Sequence, residues 1–93
     1  MNTGQEVLPG TKEEVEELSL EQNQLVLFND DVNTFDFVID TLVEVCDHDY
    51  LQAEQCAFIV HYKGKCDVKS GGYPELEPLC SELLRRGLTA EIQ

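Results

Sequence analysis

Residues 25–46 read LVLFNDDVNTFDFVIDTLVEVC, and this stretch decides the fold. Leu25-Val26-Leu27-Phe28 is a short apolar run bounded by polar residues, which reads as a strand buried on both faces. Asn29-Asp30-Asp31 ends it. Asn33 or Thr34 then supplies an N-cap. Phe35, Val38, Ile39, Leu42, Val45 and Cys46 recur at the three- and four-residue spacing of a helix. Asp36 and Asp40 lie toward its N-terminal half, where the helix dipole favours negative charge, and the helix ends near Asp47.

Downstream, Asp49 with Gln52 resembles a capping box, and Leu51, Ala53, Cys56, Ala57, Ile59 and Val60 make a wide apolar stripe. Lys63 falls in the last turn of this second helix, and Gly64 takes the left-handed position that closes it. Lys65-Cys66-Asp67-Val68-Lys69 alternates as a strand with one wet face, and Ser70-Gly71-Gly72 reads as a flexible turn. Leu76, Leu79, Cys80, Leu83 and Leu84 carry the clearest helical spacing in the chain. Pro74 and Pro78 are expected before or within the first turn of that helix, where a missing N–H costs little. Gly87 ends it, and Leu88, Ala90 and Ile92 alternate as a last strand.

Upstream, residues 1–23 carry six acidic side chains against Lys12 and too few apolar ones to build a packed face. The expected organisation is therefore an acidic flexible tail, 1–23, followed by a single folded core, 24–93. That core is a compact single-domain α/β sandwich in the order β-α-α-β-α-β, with a three-stranded sheet and three helices on one face.

The full chain of 93 residues suits one domain. Nineteen acidic residues oppose six basic ones, and the formal charge of −13 repels nucleic-acid phosphates and anionic lipid heads. The start, MNTGQEVLPGTKEE, lacks the basic flank and apolar run of a secretory signal. No apolar stretch approaches the roughly 18 residues of a membrane span. A cytoplasmic protein is expected. Cys46, Cys56, Cys66 and Cys80 show no CxxC pair, so they read as reduced thiols in the core and not as a zinc site or disulfide framework.

The residues able to carry chemistry gather around the first turn. If the chain stays extended past Phe28, Asn29 and Asp31 point the same way and offer a carbonyl oxygen and a carboxylate, which suits an ammonium group with three donors. The plainer reading is a turn rich in Asn and Asp. Neutral His61, near the end of the second helix, would add another acceptor; its plainer reading is a half-buried histidine bonded to a carbonyl. Asn29, Asp31, Asn33 and Asp40 match part of a calcium-loop count, but Thr34 stands where that loop needs glycine, and a strand precedes it. Neither a thiol nucleophile paired with His61 nor a metal site of Asp30 or Asp31 with His61 has the spacing that such chemistry needs.

LVLFNDDVNTFDFVIDTLVEV, followed by AEQCAFIVHYKGK, resembles the ClpS family, adaptors that deliver N-degron substrates to a Clp AAA+ protease. NDD after a strand, FVID in the next helix and VHYKGK closing the second carry the likeness, which covers residues 25–66 well and continues weakly to the end. The resemblance implies a non-enzymatic protein, without cofactor or metal, that binds a substrate's N-terminal Leu, Phe, Tyr or Trp. Asn29, Asp30, Asp31 and His61 match the positions that hold the α-amino group. Phe35, Val38, Ala57, Val60 and Leu88 match the hydrophobic pocket, with Asn33 at its rim. Many members have Met where Ala57 and Phe35 stand; Ala57 enlarges one side of the hole and Phe35 or the nearby Phe58 refills it. The segment between His61 and Leu88 is shorter than in typical members. The implied partners are proteins with a bulky first residue and a Clp AAA+ unfoldase with its peptidase, which the acidic tail engages during hand-off. A monomer is expected. The rival from another class is a small acidic scaffold that modulates a Clp unfoldase without binding degrons, and a thiol or metal hydrolase comes third.

Overall fold

The computed structural model describes residues 22–93. The acidic stretch read as a tail lies almost wholly outside the described residues, although the first strand begins at Asn23, inside its expected bounds. The element order is β1 (Asn23–Phe28), α1 (Phe35–Cys46), α2 (Tyr50–Lys63), β2 (Lys65–Gly71), α3 (Tyr73–Arg85) and β3 (Thr89–Ile92). β1 is the centre of an antiparallel sheet ordered β2-β1-β3.

Central position explains why β1 is apolar throughout. Leu25 and Leu27 project into the core with Ile39, Leu42, Val60, Leu76 and Leu83 from the three helices. Val26, which strand alternation turns the other way, is also only 1% exposed, so the strand is buried on both sides as its composition implies.

Caps set the helix ends. The Thr34 hydroxyl accepts the Phe37 amide at 3.1 Å, so Thr34, and not Asn33, caps α1. Asp49 accepts the Gln52 amide at 2.8 Å at the start of α2. Gly64 (φ 95°) closes α2 in the left-handed conformation that a side chain resists.

Two local expectations need correction. Ser70 and Gly71 are not a turn: they extend β2, pairing with Gln24 and Asn23, and the Ser70 hydroxyl donates to the Gln24 side chain at 2.6 Å. A Cβ at Gly71 would meet only the Glu75 carboxylate, the mobile end of a long side chain, so Gly71 stands in β2 as an ordinary paired residue. Pro78 lies in the second turn of α3, not its first, because the helix begins at Tyr73. Its missing N–H leaves the Pro74 carbonyl without its helical partner, which is tolerated because both prolines are exposed to water.

A bulge in β2 ties the sheet to α1. Val26 pairs with Asp67 and Leu25 with Lys69, so Val68 is the extra residue. Its carbonyl accepts from His48 Nε2 at 2.6 Å, which fixes the proton of this buried imidazole on Nε2. The Lys69 ammonium donates to the Cys46 carbonyl at 3.2 Å, at the negative end of α1. Asp47 (φ 59°) makes the left-handed exit from that helix.

At the other end of the sheet, Arg86 reaches Glu82 on α3 (2.7 Å) and Glu44 on α1 (2.6 Å). Gly87 (φ 92°) then reverses the chain and brings Leu88, 4% exposed, into the core. Among the described residues no helix is long and apolar enough to cross a membrane.

Candidate functional site

Where β1 ends, its hydrogen bonding runs on for one residue: the Asn29 amide donates to the Gly64 carbonyl at 2.9 Å. Asn29 therefore shares the core-facing side with Leu27, two residues earlier. The chain then leaves the extended path, and the bend occupies residues 31–33. The strand alternation that would align Asn29 with Asp31 does not extend that far.

What bends the chain is Asp30. Its carboxylate accepts the Val32 and Asn33 amides, each at 2.9 Å, and the Asn33 carboxamide at 3.0 and 3.2 Å. Asn33 Nδ2 also donates to the Gly87 carbonyl at 3.0 Å, tying this loop to the turn that carries Leu88. Burial alone would raise the Asp30 carboxyl. The hydrogen bonds from Asn33 and Val32 outweigh that and hold it below its ordinary value of 3.8. A depressed carboxylate contributes stability above its unfolded pKa and loses it as pH falls through the folded one. The Val32 and Asn33 amide resonances are therefore expected to shift below about pH 3.8 as the loop loosens. An Asp30→Ala variant should show that loosened loop at neutral pH, at a cost of about 1 kcal/mol in denaturant midpoint experiments.

The turn faces a cavity of about 280 Å³. Asn29, Asp30, Asp31 and Asn33 line it from the loop, and Phe35 and Val38 from the start of α1. Ala57, Val60 and His61 line it from α2, and Leu88 closes it from beyond α3. Every residue matched to the α-amino and hydrophobic positions, with Asn33 at the rim, thus borders one space. Leu27 and Phe28 border it too. Their sequence signal is only that of a strand, though the period of two places Leu27 on the same side as Asn29.

The polar side is uneven in what it has left to offer. Asp30 is engaged by its own loop. Among the described residues, the side chains of Asn29, Asp31 and His61 form no hydrogen bond, and all three residues are exposed to water. His61 is not the carbonyl-bonded histidine of its plainer reading; that description fits His48 instead. The His61 ring packs edge-on against Phe35 (5.4 Å between centroids) and Tyr62 (4.8 Å). Phe35 is also met edge-on by Phe58 at 4.9 Å. Phe35, not Phe58, forms the wall; Phe58 stands behind it.

The cysteines lie away from this space. Burial pushes the Cys46 thiol up to about 11 and the Cys66 thiol up to about 12, which keeps both protonated at neutral pH. All four cysteines are free thiols. Among the described residues no three His, Cys, Asp or Glu side chains gather as a metal site would require.

Fold and cavity together define a small α/β protein of three helices and a three-stranded antiparallel sheet, with an acceptor-rimmed apolar hole at the end of its central strand. The model of the family described as ATP-dependent Clp protease adaptor protein ClpS matches residues 19–91, most of the chain. The chain belongs to the ClpS family. It is 43% identical over 42 residues to the ATP-dependent Clp protease adapter protein ClpS of Salmonella gallinarum. That match covers 45% of this chain and 40% of its relative, so well under half of the relative's length is represented. The fold is similar to that of Agrobacterium tumefaciens ClpS2 bound to L-phenylalaninamide, with a TM-score of 0.66 at 17% identity, covering 77% of this chain and 94% of that one.

Proposed function

We propose that this protein is a non-enzymatic, cytoplasmic adaptor of a Clp protease. It captures proteins by a free N-terminal amine followed by a bulky first side chain (Leu, Phe, Tyr or Trp) and hands them to a Clp AAA+ unfoldase. The single observation that carries the reading is that Asn29, Asp31 and His61, with acceptors unengaged among the described residues, border the same small cavity as Phe35, Val38, Ala57, Val60 and Leu88. Pockets for small molecules run from about 300 to 1,000 Å³. A cavity of about 280 Å³ suits a single large side chain better than a cofactor. Desolvating that side chain contributes about 1.5–3 kcal/mol, and the ammonium supplies three donors for the acceptors at the rim. Family membership and the Clp protease adaptor relative support the hand-off partner. The bound phenylalaninamide of the structural neighbour, a free amine next to an aromatic side chain, supports the ligand class.

Fluorescence anisotropy tests it with two labelled peptides of the same composition, one beginning with Phe and one with Phe at the third position. Binding of the first alone, followed by faster degradation of a Phe-initiated substrate by a Clp protease, is the expected result. Equal or absent binding would remove the degron pocket and leave the scaffold reading.

A further inference from the structure

Four aromatic rings on α1 and α2 close a circuit at the cavity's outer edge. Phe35 meets Phe58 edge-on (4.9 Å, 86°), and Phe58 stacks on Tyr62 (6.0 Å, 8°). Tyr62 meets His61 edge-on (4.8 Å, 85°), and His61 meets Phe35 edge-on (5.4 Å, 79°). Each spacing falls in the range in which aromatic pairs attract beyond the area they bury. Phe58 and Tyr62 stand one helical turn apart on α2, which puts them on one face. Only Phe35 and His61 border the cavity. Phe58 is 43% and Tyr62 74% exposed, and neither belongs to the buried core. Rings this open to water contribute less to folding than buried ones, and their closed circuit includes two residues that border the cavity.

We infer that Phe58 and Tyr62 are positioning residues for the amine-binding site, a brace that holds the His61 imidazole and the Phe35 ring in their working orientations. The inference rests on the adaptor reading above and assigns residues outside the cavity a share in its specificity. The imidazole accepts from an ammonium only when a ring nitrogen is aimed at it. His61 makes no hydrogen bond among the described residues that would set its rotation, and the edge contacts from Tyr62 and Phe35 supply that restraint. Phe35 in turn is held between Phe58 and His61. It therefore offers a rigid aromatic wall where an unbraced side chain would swing, and a fixed ring rewards an aromatic occupant more than an aliphatic one. Ala57, with no side chain beyond Cβ, leaves the wall on that part of α2 to Phe35.

The test uses the full chain with Phe58→Ala, Tyr62→Ala and Tyr62→Phe variants. Affinities are measured for peptides beginning with Phe and with Leu, and the imidazole proton resonances are recorded at fixed pH. The chain has two histidines, so His61 is assigned against His48. Phe58→Ala and Tyr62→Ala should each weaken the Phe-initiated peptide about three- to tenfold and bring the Phe-to-Leu preference toward unity. They should also move the His61 resonance, in Tyr62→Ala with a thermal midpoint within a few degrees of the parent. Tyr62→Phe, which keeps the ring and loses only the hydroxyl, should behave as the parent. Unchanged affinity and preference in both alanine variants would overturn the brace while leaving the adaptor reading standing. A loss confined to peptides with a large second residue would overturn it in favour of direct contact. If the parent chain binds neither peptide, the adaptor reading falls and takes the brace with it.

Discussion

Acetylating the α-amine of a Phe-initiated peptide is expected to lower its affinity by at least about a hundredfold. A free amine at neutral pH is an ammonium with three donors, and hydrogen bonds to charged groups contribute about 1.5–3 kcal/mol each. Acetylation removes the charge and leaves one donor, so two such bonds go, and each 1.4 kcal/mol is a factor of ten. The apolar half of the site is untouched, which makes the comparison specific to the rim. Asp31 is the carboxylate at this cavity that its own loop does not engage among the described residues. Asp31→Ala should therefore cost the free-amine peptide about ten- to a hundredfold and the acetylated peptide almost nothing. Anisotropy titrations of both peptides against both proteins give the coupling directly. Equal losses on the two peptides would mean that Asp31 acts on the loop and not on the amine. Salt should weaken the free-amine complex, because the rim is exposed and the chain carries a formal charge of −13.

The largest expected effect on folding is at Leu42. It is 0% exposed on α1 and belongs to the one cluster in which side chains from all three helices meet Leu25 and Leu27 of β1. Leu→Ala at such sites loses both the transfer free energy and the packing around the void, about 2–5 kcal/mol. Domains of this size hold only about 5–15 kcal/mol in total. Each kcal/mol lowers the melting midpoint of a 60–100-residue domain by about 4–8 °C. Leu42→Ala should thus melt at least about 8 °C below the parent in a thermal scan followed by circular dichroism. Leu51→Ala supplies the contrast: Leu51 is 61% exposed near the start of α2, and its loss should fall within about 0.5 kcal/mol. Comparable shifts in the two variants would contradict the placement of the core.

Much of the architecture was legible because its causes are local. The Leu25–Phe28 run, the three-and-four spacing from Phe35 to Cys46 and from Leu76 to Leu83, and the Gly64 stop each depend on side chains within a turn or two of one another. Where an expectation failed, a distant residue had intervened. Ser70 and Gly71 look like a turn by composition, yet Gln24 and Asn23 draw them into β2. Pro78 looked like a first-turn residue because the start of α3 at Tyr73 is set by the end of that extended strand. His48 carried no signal in the sequence; its partner, the Val68 carbonyl, is freed only by a bulge opposite β1. The candidate site residues were legible one at a time, partly through the family resemblance, but not the roles that divide them. Asp30 and Asp31 are neighbours of identical chemistry that both line the cavity, and only the amides of Val32 and Asn33 distinguish the carboxylate that builds the loop from the one left unengaged among the described residues.

Local chemistry therefore determined the order β-α-α-β-α-β, the cap of α2 and the acidic balance, and it marked Asn29, Asp31 and His61 as side chains with acceptors to offer an ammonium. It could do so because hydrogen bonds within a turn and the periodicity of apolar residues are written in short windows of the chain. Tertiary structure decided that the end of β1, the 29–34 loop, the start of α1, the last turns of α2 and Leu88 enclose one space. It also decided that Asn33 and Gly87 lock two of its borders together. Those contacts follow from how helices seat on a twisted sheet, a property of the packed whole that no short window contains.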